Sequence, residues 1–177
     1  IYLKAFEEPV KETKCKGMMS AFNRIGTSWC GGSSALLNDL LRGEWGFEGH
    51  FVSDCWAIRD FHENHGVTRR PAESVQLALR SGCDLNCGNT YLNLLIALQE
   101  GRIEPEWITR SCIRLMATRI RLGLFDEDCE YDSIPYTECD TPANAAFALR
   151  MAQNSMVLLK NDGLLPLSRD NIKTIAV

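Results

Sequence analysis

Short apolar runs alternate with longer segments of helical periodicity along the first hundred residues. Three runs are typical of buried strands, namely residues 18–22, 50–53 and 81–86. The first two run into loops, and a helical pattern then leads to the next run. The repeat of strand, loop and helix at intervals of about 30 residues predicts βα units in a parallel sheet.

Helical patterns fill the remaining segments. Several of the predicted helix ends are marked by a proline in the first turn or by a glycine just after the last turn. The predicted helices are residues 2–14, a segment opened by Ser33 and Ser34 with leucines 36, 37, 40 and 41 on one face, 71–80, 91–100, 105–123 and 142–154. The segment between Asp54 and Pro71 is predicted to be a loop that holds His62 and His65.

The composition changes between residues 126 and 140, where seven acidic side chains and no basic ones occur. This segment is predicted to be a solvated linker, because it lacks the Gly and the alternating oxygen ligands of a calcium loop. Beyond it, residues 156–160 and 172–177 are predicted strands of a second domain. The chain lacks an initial Met and stops on a predicted strand, so we expect an internal segment of a longer protein.

Composition and charge exclude several classes of protein. The chain has 177 residues, of which 45% are hydrophobic and 24% charged, as in an ordinary globular protein. The formal net charge is −4 and no basic stripe occurs, which disfavours nucleic acid and membrane surfaces as partners. No apolar run reaches the roughly 18 residues that a membrane-spanning helix needs.

The eight cysteines form no C-x2-C pair. Cys83 and Cys87 lie four positions apart, but no histidine is near enough to favour a metal site. We expect most of the cysteines to be small buried apolar side chains in a reducing compartment, which favours a cytoplasmic location.

Asp54 is the main candidate for chemistry, because it follows a predicted buried strand. In barrel enzymes the catalytic groups sit at the carboxyl ends of the strands. The structural alternative is a carboxylate that caps the next helix or loop. As a functional group it could serve as a nucleophile, a general base or a metal ligand. His62 and His65 are three positions apart, which does not match the spacing of a zinc protease helix, and no nucleotide-binding motif occurs.

Five spaced segments resemble motifs of glycoside hydrolase family 3, the β-glucosidase and β-xylosidase family, and they occur in the order of that family. The segments are GMMSAFNR at 17–24, EWGFEGHFVSD at 44–54, SGCDLNCG at 81–88, RIRLGLFD at 119–126 and NSMVLLKN at 154–161 with LLPL at 164–167. The resemblance extends over almost the whole chain.

The resemblance implies an α/β fold: the last strands of a (β/α)8 barrel in residues 1–125, a linker at 126–140, and the start of an α/β sandwich at 141–177. It implies a retaining, exo-acting β-glycosidase that hydrolyses terminal β-xylosyl or β-glucosyl residues of oligosaccharides, without cofactor or metal. Asp54 would be the nucleophile. The general acid would follow residue 177 and other sugar-binding residues would precede residue 1, so we expect the segment alone to be inactive. The alternatives are a non-catalytic sugar-binding or structural homologue, and a barrel enzyme that uses Asp54 as a metal ligand.

The same resemblance suggests five substrate-binding residues. Met19 matches a methionine that lines the sugar pocket, although a core methionine is an equal interpretation. Phe22 stands where the family usually has a tyrosine whose hydroxyl contacts the nucleophile. Arg24 would brace the mouth of the site or a sugar hydroxyl, with a surface arginine as the alternative. Cys55 replaces a tryptophan and is more similar to the β-xylosidase branch, while Trp56 would supply an aromatic platform.

Overall fold

The computed structural model describes residues 2–176. These residues form two compact units that divide after Glu127. No helix among residues 2–176 is both long and apolar enough to cross a membrane.

The first unit combines short strands with helices of very different lengths. Its elements are α1 (Lys4–Lys11), β1 (Gly17–Met19), β2 (Arg24–Ile25), β3 (Ser28–Trp29), a π-helix (Ala35–Glu44), β4 (His50–Val52), α2 (Ala57–Glu63), α3 (Pro71–Ser81), α4 (Leu94–Gln99) and α5 (Pro105–Arg121). Short 3-10 turns occupy Cys30–Gly32 and Thr90–Asn93. The second unit contains the 3-10 turns Glu130–Ser133 and Tyr136–Glu138, followed by α6 (Pro142–Ser155).

The parallel sheet is built around β4. Strand β1 runs parallel to it, with Gly17 opposite His50 and Met19 opposite Val52. On the other side, a single parallel bridge joins Val52 to Leu85. The predicted α/β arrangement of parallel strands connected by helices is therefore confirmed for this unit, as an open sheet.

The third predicted strand, residues 81–86, is wrong in its extent. Ser81 belongs to α3, and Gly82 ends that helix in the left-handed region with φ of 98°. Ser81 and Gly82, the first two residues of the predicted strand, are therefore part of the helix and its end. What remains is the bridge at Leu85, whose N–H, like that of Asp84, donates to the carbonyl of Phe51.

Several helix limits agree with the sequence prediction, because proline and glycine mark them. Helix α3 begins at Pro71, and α5 begins at Pro105 and ends at Arg121. Helix α6 begins at Pro142 after Thr141, whose hydroxyl accepts a hydrogen bond from the N–H of Asn144. The predicted helix after Ser34 has π geometry instead, and the N–H of Trp45 donates to the carbonyl five residues earlier.

Two hydrophobic clusters form the core of the first unit. One includes Phe51 of β4 with Ile58 and Phe61 of α2, and the other includes Val75 of α3 with Ile103. Helix α3 contributes to both clusters, since its Ala78 packs in the first. The core therefore fixes β4 and α2 on either side of the turn that contains Asp54.

Three further predictions are corrected by the structure. The predicted loop before Pro71 is partly helical, because Ile58 and Phe61 provide α2 with a buried face, and His62 lies in that helix. The strands predicted at 156–160 and 172–177 do not form in residues 156–160 and 172–176, and residue 177 lies outside the described residues. A strand needs a hydrogen-bonded neighbour, and no segment of residues 2–176 pairs with either of them.

Candidate active site

Asp54 lies just beyond the carboxyl end of β4 and is half-buried. Its N–H donates to the hydroxyl of Ser20 over 3.3 Å, and Ser20 in turn donates its own N–H to the carbonyl of Val52 over 2.9 Å. Ser20 follows β1 directly and is buried. The ends of the two parallel strands thus hold the backbone of Asp54 in place.

The two carboxylate oxygens of Asp54 differ in their hydrogen bonding. Its Oδ1 accepts a hydrogen bond of 2.7 Å from the N–H of Cys55. Among residues 2–176 no hydrogen bond reaches Oδ2. The carbonyl of Asp54 accepts from the N–H of Ala57 over 3.1 Å, where α2 begins. The aspartate therefore takes part in the turn into α2 through its carbonyl and through Oδ1.

Ser53 ties the chain before Asp54 to the segment after the Leu85 bridge. Its N–H donates to the carbonyl of Leu85 over 2.9 Å. Its fully buried hydroxyl accepts from the N–H of Cys87 over 3.0 Å and from the side-chain amide of Asn86 over 3.3 Å. These bonds place residues 86–88 next to Asp54.

A disulfide joins Cys55 to Cys87 across the same two segments, with the two Cα atoms 4.4 Å apart. The prediction that most cysteines are buried apolar thiols is therefore wrong. Only Cys30 and Cys83 are buried, while Cys112 and Cys139 are exposed. The disulfide escaped the sequence analysis because its partners lie 32 residues apart and meet only when the two strand ends are adjacent.

Trp56 projects from this cross-linked turn. Its backbone has φ of 68°, and its N–H donates to the carbonyl of Cys87 over 2.8 Å. Its side chain is 42% exposed, and the guanidinium of Arg59 lies 4.6 Å from the ring centroid. Gly88 lies so close that a Cβ there would meet the Trp56 ring at 3.1 Å. An exposed indole beside Asp54 suits contact with a sugar.

The three other predicted substrate-binding residues lie on or after β1. Met19 is the last residue of β1 and is exposed, and Phe22 lies exposed in the following loop. Arg24 opens β2, with its guanidinium 6.0 Å from the ring centroid of Trp29. Met19 and Arg24 line one cavity of about 670 Å³ together with Ser20. Ser20, whose hydroxyl accepts from the N–H of Asp54, lies in the wall of this cavity, whereas Asp54, Cys55 and Trp56 do not line it.

The two histidines that follow Asp54 in the sequence, His62 and His65, make structural contacts. His62 Nδ1 lies 2.9 Å from the hydroxyl of Ser74, which is buried in α3. The ring of His65 stacks on Trp29, with 3.4 Å between centroids and 5° between planes. His65 therefore holds hairpin β2–β3, which carries Arg24, against the segment after α2.

Three buried or partly buried side chains of the first unit, those of Arg42, Cys83 and Tyr91, have shifted pKa values. Burial raises the pKa of the Cys83 thiol to about 12. Burial also raises the pKa of Tyr91 well above its ordinary value, and its hydroxyl donates to the Cys83 carbonyl over 2.6 Å. Burial lowers the pKa of Arg42, an effect that the neighbouring Asp84 opposes. All three side chains are structural supports beneath the site.

Sequence reasoning missed four residues that build the site: Ser20, Ser53, Cys87 and Gly88. Ser20 and Ser53 looked like ordinary strand residues, since a serine gives no sign of its hydrogen-bond partner. For the disulfide a signal did exist. Cys55 and Cys87 each follow a predicted strand end, and in a parallel sheet such ends meet at one edge.

Comparisons with known proteins agree on one family. The profile described as "Glycosyl hydrolase family 3 N terminal domain" matches residues 1–119. The chain is 38% identical to a xylan 1,4-beta-xylosidase of Xylanibacter ruminicola over 181 aligned positions, which cover 99% of the chain and 21% of that protein.

Two solved structures have the same fold over this segment. One is a GH3 exo-beta-xylosidase (XlnD) bound to a xylobiose aziridine activity based probe, with 26% identity, a TM-score of 0.82, and 95% of this chain and 22% of that chain covered. The other is a beta-glucosidase of Erythrobacter marinus, with 34% identity, a TM-score of 0.77, and 93% and 22% covered. The chain thus spans about a fifth of the length of the relatives that it matches.

Proposed function

The chain belongs to glycoside hydrolase family 3, and from this premise we propose that the full-length protein is a retaining, exo-acting β-glycosidase. Its substrates are oligosaccharides or aryl glycosides with a terminal β-xylosyl or β-glucosyl residue. The observation that carries the proposal is the Asp54 carboxylate at the carboxyl end of β4, with Oδ1 held by the Cys55 N–H and Oδ2 without a hydrogen bond from residues 2–176.

In the proposed reaction, Asp54 Oδ2 attacks the anomeric carbon as the bond to the leaving oxygen breaks. A general acid, supplied by a part of the protein beyond this segment, protonates the leaving oxygen. The product of this step is a glycosyl ester of Asp54. A water molecule then attacks the same carbon from the face that the leaving group vacated, gives its proton to the former acid, and restores the Asp54 carboxylate.

The remaining predicted residues have binding roles in this proposal. Trp56, exposed beside Asp54, packs against a sugar ring. Met19 and Arg24 line the cavity that adjoins Ser20. Cys55, which follows Asp54 in the chain, and Phe22, which is exposed two residues after Ser20, would provide further contacts to the sugar. Because the general acid lies elsewhere, residues 1–177 alone should bind sugar weakly and turn over none.

We further propose that the three parallel segments around β4 are the last strands of a closed (β/α)8 barrel in the full-length protein. The linker at 126–140 would then lead to an α/β sandwich that begins at residue 141. The division of the chain into two compact units after Glu127 supports this arrangement. The cytoplasmic location stays a prediction, and a persistent disulfide favours an oxidising compartment instead.

More specifically, we propose that the full-length protein is a β-xylosidase. The disulfide joins Cys55, the residue after Asp54, to Cys87, and we propose that it leaves no room for the hydroxymethyl group at C5 of a glucosyl residue. Xylose lacks this group. The sequence similarity to the xylan 1,4-beta-xylosidase, which extends over nearly the whole chain, also supports this choice.

A covalent trap tests the proposed reaction. The full-length protein is incubated with a 2-deoxy-2-fluoro-β-xylosyl donor that carries a good leaving group, and its peptides are analysed by mass spectrometry. We expect one 2-deoxy-2-fluoroxylosyl adduct, on Asp54, with release of the leaving group. An adduct on another carboxylate contradicts the assignment. No adduct, with sugar binding retained, identifies the non-catalytic homologue that the absence of a tyrosine hydroxyl at Phe22 suggests.

A further inference from the structure

The turn after β4 is cross-linked to the turn after the Leu85 bridge. The disulfide between Cys55 and Cys87 is the covalent part of this link. Two hydrogen bonds from backbone N–H groups run beside it, from Trp56 N–H to the Cys87 carbonyl over 2.8 Å and from Cys87 N–H to the Ser53 hydroxyl over 3.0 Å. Residues 53–56 and residue 87 therefore form one small assembly.

This assembly contains the donor that orients the candidate nucleophile. The N–H that binds Asp54 Oδ1 at 2.7 Å belongs to Cys55, one of the two disulfide partners. The next residue, Trp56, has a left-handed backbone conformation, which residues other than glycine seldom adopt. Cys55 and Trp56 are both exposed, so burial does little to hold either residue in this conformation.

The flanking residues are anchored independently of the disulfide. Ser53 and Ile58 are completely buried, and Ile58 packs with Phe51 in the core. Loss of the sulfur–sulfur bond should therefore leave the strand and α2 beyond its first residue in place, and loosen only the turn at residues 54–57. That turn contains the carboxylate and the indole.

We propose that the Cys55–Cys87 disulfide is a positioning element of the active site: it holds the amide that orients Asp54 and the left-handed turn that presents Trp56. This inference rests on the proposed function for its catalytic consequence. The conformational part does not depend on activity. Cys55 and Cys87 are positioning residues, since the group that reacts is Asp54.

Hydrogen exchange measures the conformational part directly in the full-length protein. Dithiothreitol cleaves the disulfide through a mixed disulfide, ends as its own cyclic disulfide, and leaves Cys55 and Cys87 as two thiols. We expect the amides of residues 54–57 to exchange at least about tenfold faster after reduction. Amides within α3 should exchange at the same rate in both states, which serves as the internal control.

Kinetics measure the catalytic part. With an aryl β-xyloside we expect reduction to lower kcat by at least about tenfold because Asp54 loses its orientation, to raise KM because Trp56 is no longer presented to the sugar, and to leave the melting temperature within a few degrees. The double variant Cys55→Ser/Cys87→Ser should have the same low kcat and should not respond to dithiothreitol. The matched control is Cys112→Ser/Cys139→Ser, which removes two exposed free thiols and should behave as the wild type.

Each outcome decides the proposal. Faster exchange at 54–57 together with the lower kcat supports it. Unchanged exchange after reduction, or a double variant with wild-type kcat, overturns it. If the oxidised full-length protein hydrolyses no β-glycoside, the proposed function fails, and the exchange rates alone decide whether the disulfide holds the turn.

Discussion

Arg42 and Asp84 form a buried ion pair, with 2.7 Å between the guanidinium and Oδ2 of the carboxylate. The Asp84 side chain is fully buried and accepts three more hydrogen bonds, from the N–H of Phe51, the hydroxyl of Ser111 and the guanidinium of Arg114. One carboxylate therefore joins the π-helix, β4 and α5 beneath the edge of the sheet that holds the candidate site.

Asp84→Asn should destabilise the protein strongly. The amide leaves two guanidinium groups without their counter-charge, and breaking one side of a buried ion pair costs about 3–5 kcal/mol. Denaturant unfolding of the full-length protein measures the change. The matched control is Glu48→Gln, which breaks an exposed pair with Lys16 and should give no measurable change. Equal stability of the two variants contradicts the structural role of Asp84.

Asp54→Asn in the full-length protein should lower the turnover of an aryl β-glycoside by several orders of magnitude, because an amide cannot form the glycosyl ester. The fold should persist, since an amide oxygen can still accept the Cys55 N–H. Asp39→Asn is the control, at an exposed site on the π-helix. A variant at Asp54 that keeps more than about a tenth of the wild-type rate removes this residue from the nucleophile role.

The full-length protein should hydrolyse p-nitrophenyl β-xyloside with a higher kcat/KM than the matching β-glucoside. The sequence identity to a xylan 1,4-beta-xylosidase over 99% of the chain supports the pentose, and one added or missing small group changes transition-state binding by about 1–3 kcal/mol. Parallel kinetics on the two substrates measure the ratio. A glucoside preference of about tenfold or more rules out the pentose proposal and leaves the retaining mechanism unaffected.

Gly88→Ala should lower kcat/KM. Its φ of 131° is unfavourable for alanine, and the new Cβ would meet the Trp56 ring at 3.1 Å and displace it. Gly66→Ala is the matched control, because Gly66 also has positive φ (61°) but a Cβ added there would meet no atom within 4 Å. If both variants lose equal activity, backbone strain alone explains the effect and Trp56 has no special role.

The free thiols should differ in reactivity. Cys83 is fully buried and burial raises its pKa to about 12, so at pH 9 only about one thousandth of it is thiolate. In the native protein iodoacetamide should modify the exposed Cys112 and Cys139 and leave Cys83 intact. Because the folded-state pKa exceeds the unfolded one, Cys83 should also reduce stability as the pH rises from about 9 towards 12. Rapid modification of Cys83 at pH 9 contradicts this environment.

Local sequence patterns were sufficient to predict several helix starts, the position of Asp54 and the family of this protein. Helices α3, α5 and α6 begin where proline fixes the first turn. The position of Asp54 at a strand end was also visible, because an apolar run followed by an acidic residue is a local pattern. The family followed from spaced motifs and was confirmed by the match over residues 1–119.

Tertiary contacts decided the rest, because they depend on partners that are distant in sequence. The pairing of Cys55 with Cys87 required two adjacent strand ends. The third strand shrank to one bridge at Leu85 because α3 extended through Ser81. The segment around His62 became helical because its apolar residues reached a core assembled from other elements. Periodicity measures what a segment prefers alone, whereas burial and hydrogen bonding across the fold select which preference is realised.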